Sequence, residues 1–206
     1  MQQNSGRRTN RDRTEATRAD LIGAARKLFT EKSYAETGTP EIVAAAGVTR
    51  GALYHHFADK QALFAAVVEQ EAAAVAAEID DASPPSFSAR EALIAGSDAY
   101  LAAMRAPGRT RLLLIDGPAV LGRAGMDAID DRHGNRTLRE GLVAAMRAQS
   151  IARLPVEALT ALLAAAFDRA ALAIEAGNPA EDYRAVLMAL IDGLAPAPAP
   201  DPARTR

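Results

Sequence analysis

Between Thr39 and Phe57 the sequence spells two short helices hinged on one glycine, and no other stretch restricts the fold as tightly. Thr39 followed by Pro40 reads as a helix start. A threonine hydroxyl can cap the free N–H groups of a first turn, and proline at the first helical position has no N–H to leave unpaired. Ile42, Val43 and Ala46 then face inward. Gly47 has the backbone freedom of a tight turn. Thr49 is placed as a second N-cap, opening a helix whose Leu53 and Phe57 sit at i and i+4.

The chain on either side keeps a helical period. Leu21, Ile22, Ala25, Leu28 and Phe29 share one helix face ending near Lys32, and Asp59 caps a longer helix with the stripe Leu63, Phe64, Val67, Val68, Val75 and Ile79. After the loop Ser83-Pro84-Pro85-Ser86, the run Ser88-Ala89-Arg90-Glu91 reads as a capping box for a helix reaching Pro107-Gly108. Leu112 to Ile115 is an apolar run that a strand could also carry, but its surroundings favour a short helix. Met126 to Met146 reads as one long helix, weakened at Gly134-Asn135. Two further helices follow, from Val156 to Ile174 and from Asn178-Pro179, as cap and first residue, to Ile191. The fold class expected is all-α, in keeping with abundant alanine and only 4% aromatic residues.

Of 206 residues 49% are hydrophobic, enough for a real core. The domains expected are a disordered basic arm over 1–13, containing Arg7, Arg8, Arg11 and Arg13, a DNA-binding domain over 14–58, a regulatory domain over 59–194 and a disordered tail over 195–206. With no cysteine, disulfides, thiolate metal sites and cysteine nucleophiles are excluded. The absence of a signal-peptide pattern or a long apolar run points to a cytoplasmic protein without membrane attachment. The formal charge of −2 hides an asymmetry: residues 1–60 hold 10 Lys and Arg against 7 Asp and Glu, the remainder 14 against 19. A basic head on an acidic body permits a DNA-facing end.

Two short helices around a glycine turn suit DNA reading, because the first braces on phosphates while the second enters the major groove. On the second helix Thr49, Arg50, Ala52, Tyr54 and His55 lie away from the Leu53/Phe57 face and are free to meet DNA. His56 reads as structural. It follows His55 about 100° round the helix, so the two rings cannot easily share a metal. No metal site or cofactor is expected. Gly117 to Arg123 superficially echoes a phosphate loop but lacks its Lys-Ser/Thr ending, and no catalytic constellation appears, so an enzyme is not expected.

From Thr17-Arg18 to Leu63-Phe64 the chain resembles the tetracycline-repressor (TetR) family. The resemblance rests on Leu21-Ile22, Ala24-Ala25, Leu28-Phe29, Tyr34, Thr37, Ile42, Ala46-Gly47-Val48-Thr49, Gly51, Leu53-Tyr54, His56-Phe57 and Lys60. It implies a three-helix DNA-binding domain, a regulatory domain of six or seven helices, homodimerisation through the last two long helices, and release of operator DNA on binding a small-molecule effector. Thr49 and Arg50 would contact bases or phosphate, Tyr54, His55 and Lys60 the backbone, Gly51 would let the DNA approach and Thr39 would offer its hydroxyl or N–H to phosphate. Arg50 is the expected base reader. The helices expected to line the effector cavity carry Tyr100, Met104, Asp116, His133, Phe167 and Asp168. The last two helices present Leu159, Leu163, Ala166, Ala170, Val186 and Leu190 as a dimer face. Ser33 stands where the family usually has glycine, Gly38 where Ser or Thr is usual, and Val43 where a small alanine is usual. Two other readings stay open: an effector-independent or architectural DNA-binding protein, and a helical ligand-binding or enzymatic body without DNA function.

Overall fold

The structure, a computed structural model, describes residues 10–196. The basic arm and the tail expected at the two ends lie outside the described residues, except at 10–13 and 195–196. Among the described residues every regular element is helical: α1 (Asn10–Lys32), α2 (Thr39–Ala45), α3 (Arg50–His56), α4 (Lys60–Asp81), α5 (Ala89–Ala103), α6 (Arg109–Arg111), a π-helical turn (Leu112–Asp116), α7 (Gly117–Arg132), α8 (Gly134–Arg147), α9 (Val156–Glu175) and α10 (Ala180–Asp192). The all-α expectation holds. The first helix extends further towards the N-terminus than the apolar pattern suggests, since α1 includes Asn10, well before its first buried residue, Leu21.

Two compact units divide the chain: residues up to Glu71 with Pro107–Met126, and Ala72–Ala106 with residues from Asp127 onward. The boundaries fall inside α4 and α7.

In the first unit Leu21, Ala25 and Phe29 of α1, Ile42 of α2, Leu53 of α3, and Leu63 and Phe64 of α4 are all fully buried. Phe29, Tyr34 and Phe64 form an aromatic triangle with ring centroids 4.9 to 5.7 Å apart, a spacing that favours tilted and edge contacts. The same unit buries a charged group. The Glu71 carboxylate accepts from Arg26 of α1 at 2.6 and 3.2 Å and from Arg109 of α6 at 2.9 Å. Burial pushes Glu71 upward, but hydrogen bonds and charge from the two guanidiniums outweigh it, so its pKa lies below the usual carboxylate value. Gly108 fits here because its φ is +74° and a Cβ would meet Thr30 at 2.5 Å.

Ser33 closes α1 with φ +100°, a conformation that favours glycine. Its hydroxyl offsets part of the strain by accepting from Glu36 N–H at 3.3 Å, and its carbonyl accepts from the Thr37 hydroxyl at 2.7 Å. Ser33→Gly is therefore expected to stabilise the protein by about 0.5–1 kcal/mol, raising Tm by roughly 1–4 °C in a calorimetric scan. An unchanged or lower Tm would contradict strain at this residue.

In the second unit Leu93, Leu142, Ala145, Leu163, Phe167, Ala170, Leu187 and Ile191 form one core from α5, α8, α9 and α10, joined by Ile151 of the segment between α8 and α9. Ser88 caps α5 as expected: its hydroxyl accepts from Glu91 N–H at 3.3 Å, and the Glu91 carboxylate accepts from Ser88 N–H at 2.8 Å. Three expectations are corrected. The stretch Met126 to Met146 is two helices, because His133 (φ −126°, ψ −97°) leaves the helical region just where Gly134 and Asn135 propagate a helix poorly. The apolar run at 112 is a π-helical turn leading into α7, which itself kinks at Gly122 (φ 73°, ψ 168°). Asn178 does not cap α10. It closes α9, donating from both its backbone N–H and its side-chain amide to Ala173 O, and Pro179 stands at the N-cap of α10.

Candidate nucleic-acid interface

The helix-turn-helix forms as the sequence suggests, with one change at its start. Gly38, not Thr39, occupies the N-cap of α2; Thr39 is already helical, and the Glu41 carboxylate accepts from Gly38 N–H at 3.4 Å. Thr39 thus spends no hydroxyl bond on capping. At the other end of α2, Val48 N–H donates to Val43 O and Gly47 N–H to Ala44 O, a pair of bonds that requires the left-handed φ of +66° at Gly47. Thr49 caps α3 as expected, accepting from Ala52 N–H at 3.2 Å. Val43 is half-buried beside fully buried Ile42.

With Leu53 fully buried, the opposite face of α3 is open, and Thr49, Arg50, Gly51, Tyr54 and His55 are all exposed. Nothing inside the fold demands glycine at 51, where a Cβ would make only an ordinary contact with Thr49 Oγ1 at 3.8 Å. What the missing side chain leaves is bare backbone on the outer surface. Tyr54 gathers its neighbours: hydrogen-bonding influence from Thr39 and then from Arg50 holds the pKa of its phenol below the usual tyrosine value. The Arg50 guanidinium also lies 5.5 Å from the ring centroid. Thr39 and Arg50, eleven positions apart and on different helices, thus meet at one tyrosine.

His55 and His56 sit with ring centroids 5.3 Å apart in a T-shaped arrangement, and His56 is half-buried. Burial, His55 and Arg18 all push His56 below the ordinary histidine value. Lys60 is held more firmly than its expected role suggests. Its ammonium donates to Tyr34 O at 2.9 Å and Thr37 O at 3.1 Å and lies 4.1 Å from the Tyr34 ring centroid, leaving one of three N–H donors uncommitted to these bonds.

One further residue, named above only as the edge of the resemblance, joins this surface. Arg18, exposed on α1, places its guanidinium 5.3 Å from the centroid of Phe57, the residue that ends α3. Among the described residues no carboxylate pairs with Arg18 or Arg50, whereas Lys32 is neutralised by Glu41 at 2.8 Å and Arg11 by Glu15 at 2.9 Å. The uncompensated positive charge therefore borders both ends of α3.

The second unit holds most of the suggested cavity residues. The Tyr100 hydroxyl donates to Asp168 Oδ1 at 2.6 Å, and its ring meets the buried Phe167 edge-on at 5.7 Å. Burial and the Asp168 charge push Tyr100 well above its usual value. Asp168 is raised by burial, against the Tyr100 hydrogen bond. Asp130, which the sequence did not single out, is pushed up to about 6 by burial and then by Asp168, Asp127 and Asp131, with His133 opposing. Met104 is buried, and His133 is half-buried at the break between α7 and α8. Asp116 falls in the first unit, with Oδ2 3.4 Å from Arg111 Nε.

Of the suggested dimer residues, Leu163 and Ala170 are buried in the chain's own core, and Leu159 and Ala166 pack against it. Val186 and Leu190 are open, 61% and 49% exposed, and are joined by Leu162 at 72%.

The family description "Bacterial regulatory proteins, tetR family" matches residues 21–67, and "Tetracyclin repressor-like, C-terminal domain" matches residues 90–195. A crystal structure of a TetR-family transcriptional regulator from Pectobacterium atrosepticum is 34% identical, covers 93% of this chain and 100% of that one, and superposes with a TM-score of 0.73. Among curated relatives, the HTH-type transcriptional regulator AcrR of Shigella flexneri is 40% identical over 62 residues, 30% of this chain and 29% of AcrR. The HTH-type transcriptional repressor AcnR of Corynebacterium glutamicum is 35% identical over 65 residues, 32% of this chain and 35% of AcnR. The chain thus spans about a third of the length of these curated relatives. No helix among the described residues is long and apolar enough to cross a membrane.

Proposed function

The chain belongs to the tetR family of bacterial regulatory proteins, and from that premise we propose that it is a cytoplasmic repressor that binds a pseudo-palindromic operator as a homodimer and leaves it on binding a small-molecule effector. The observation that carries this reading is the open face of α3. Arg50 and Tyr54 are exposed there beside half-buried Thr39 of α2, and among the described residues no carboxylate pairs with the arginine. A helix with a buried apolar face and such an outer face suits the major groove, where its N-terminal residues reach base edges. Arg50 reads a guanine through its forked donors. Tyr54, His55, Thr39 and the remaining N–H of Lys60 bind phosphate, and Gly51 lets the backbone approach.

Two copies join through the exposed apolar stripe of α9 and α10. Leu162, Val186 and Leu190 form it, with Ala161 and Ala165 beside Leu162 and Ala189 beside Leu190. A two-fold pairing of this face sets two recognition helices about 34–36 Å or more apart, one per half-site. The effector site is drawn from the second unit, where Tyr100, Phe167 and Asp168 combine apolar walls with oriented polar groups. An effector acts only through better binding to the released shape.

Gel retardation with duplex from upstream of the protein's own gene tests this reading, followed by a melting-shift screen of metabolites and drugs. Specific retardation that a melting-shift ligand abolishes is expected. Specific retardation that no ligand alters would favour an effector-independent regulator, and no retardation of any duplex at low salt would overturn the proposal.

A further inference from the structure

We propose that Arg18, on α1, is a phosphate anchor of the DNA complex at the end of α3 opposite Arg50; this rests on the DNA-binding reading above. Four features of its surroundings support the assignment. First, Arg18 is exposed and its guanidinium has no carboxylate partner among the described residues, so the charge is available to an external anion. Second, its guanidinium carbon lies over the Phe57 ring, 5.3 Å from the centroid. A cation held over a ring is partly oriented before any phosphate arrives, so less side-chain freedom is lost on binding. Third, Phe57 follows the last residue of α3, which places Arg18 at the C-terminal end of that helix. Arg50 and Phe57 lie seven residues apart, roughly 10 Å along a helix axis. A major groove about 12 Å wide brings phosphate walls within reach of both ends of a helix seated in it. Fourth, Lys60 spends two of its three donors on Tyr34 O and Thr37 O, which leaves the uncommitted fork of Arg18 as the stronger phosphate ligand.

Phosphate contacts carry no sequence information, so the role has a distinct signature. The experiment measures affinity for an operator duplex and for a shuffled duplex across a salt series, with wild type, Arg18→Ala, Arg18→Lys and Arg50→Ala, each checked by circular dichroism to be folded at the assay temperature. Arg18→Ala is expected to weaken both duplexes by the same factor, roughly five- to tenfold near 0.1 M salt. It is also expected to reduce the slope of log affinity against log salt by about 0.9, one phosphate contact. Arg18→Lys keeps the charge and is expected to keep the slope. An unchanged slope for Arg18→Ala overturns the proposal, even if its melting temperature falls, and so does a loss confined to the operator. If Arg18→Ala is silent while Arg50→Ala loses operator preference, Arg18 is refuted and the DNA reading stands. If wild type binds neither duplex, both fall.

Discussion

Glu71→Ala is expected to lower the unfolding free energy by about 3 kcal/mol and Tm by roughly 6–12 °C, the largest single-residue effect outside the apolar core. The cost arises from what remains after the carboxylate is gone. Arg109, whose side chain is 9% exposed, and Arg26, at 33%, would both lose this carboxylate, and α1, α4 and α6 would lose their common tie. Glu71→Gln keeps acceptor oxygen for one guanidinium and should recover part of the loss. The pH dependence has a definite sign. Because the folded pKa of Glu71 lies below its ordinary value, the ionised carboxylate stabilises the fold above the usual carboxylate range, near pH 4.3. That contribution is lost as pH falls through the folded pKa. Urea titrations of wild type and Glu71→Ala at pH 7 and at low pH should therefore converge on the acid side. A difference that stays constant with pH would contradict the charge-based account.

Replacing both Val186 and Leu190 by glutamate is expected to turn a dimer into a folded monomer and to cut operator affinity by two orders of magnitude or more, because two half-site contacts then no longer act together. Both side chains are about half exposed or more within one chain, so the glutamates meet solvent in the monomer and leave the core of Leu163, Phe167, Leu187 and Ile191 in place. In a dimer, four carboxylates would be forced into an apolar contact. Sedimentation equilibrium reads the mass directly, and retardation reads the affinity. A variant that remains dimeric would place the interface elsewhere.

The DNA-reading half of this protein was legible in the sequence because its signals are local. Proline at 40, glycine at 47 and the threonine cap at 49 each act on the backbone beside them, and the i, i+4 pair Leu53/Phe57 fixes which face of α3 is open. Thr39 shows the limit: its position in the helix depended on whether Glu41 would reach back to Gly38, a competition between two plausible caps. Ser33 was visible as a departure from glycine, and the structure supplies the reason it matters, a left-handed φ. Arg18 was invisible as a ligand because its aromatic partner is 39 residues away and joins it only when α1 packs beside α3.

The C-terminal part is harder to read, since an apolar period cannot distinguish a stripe facing the chain's own core from a neighbouring stripe left exposed. Leu163 and Leu162 differ by one position and by 7% against 72% exposure. His133 looked like part of a long helix because its flanking apolar residues keep one period across a break. Asp130 gained interest only when folding brought it within range of Asp168.

The most direct test of the account is the affinity of wild type and Arg50→Ala for an operator duplex and a shuffled duplex at one fixed salt concentration. Wild type should prefer the operator by at least about 10³. Arg50→Ala should lose roughly 1–3 kcal/mol of that preference, a factor of about 10 to 100, with a much smaller change on the shuffled duplex. Equal losses on the two duplexes would show that Arg50 only neutralises phosphate, and would contradict the claim that the open face of α3 reads sequence.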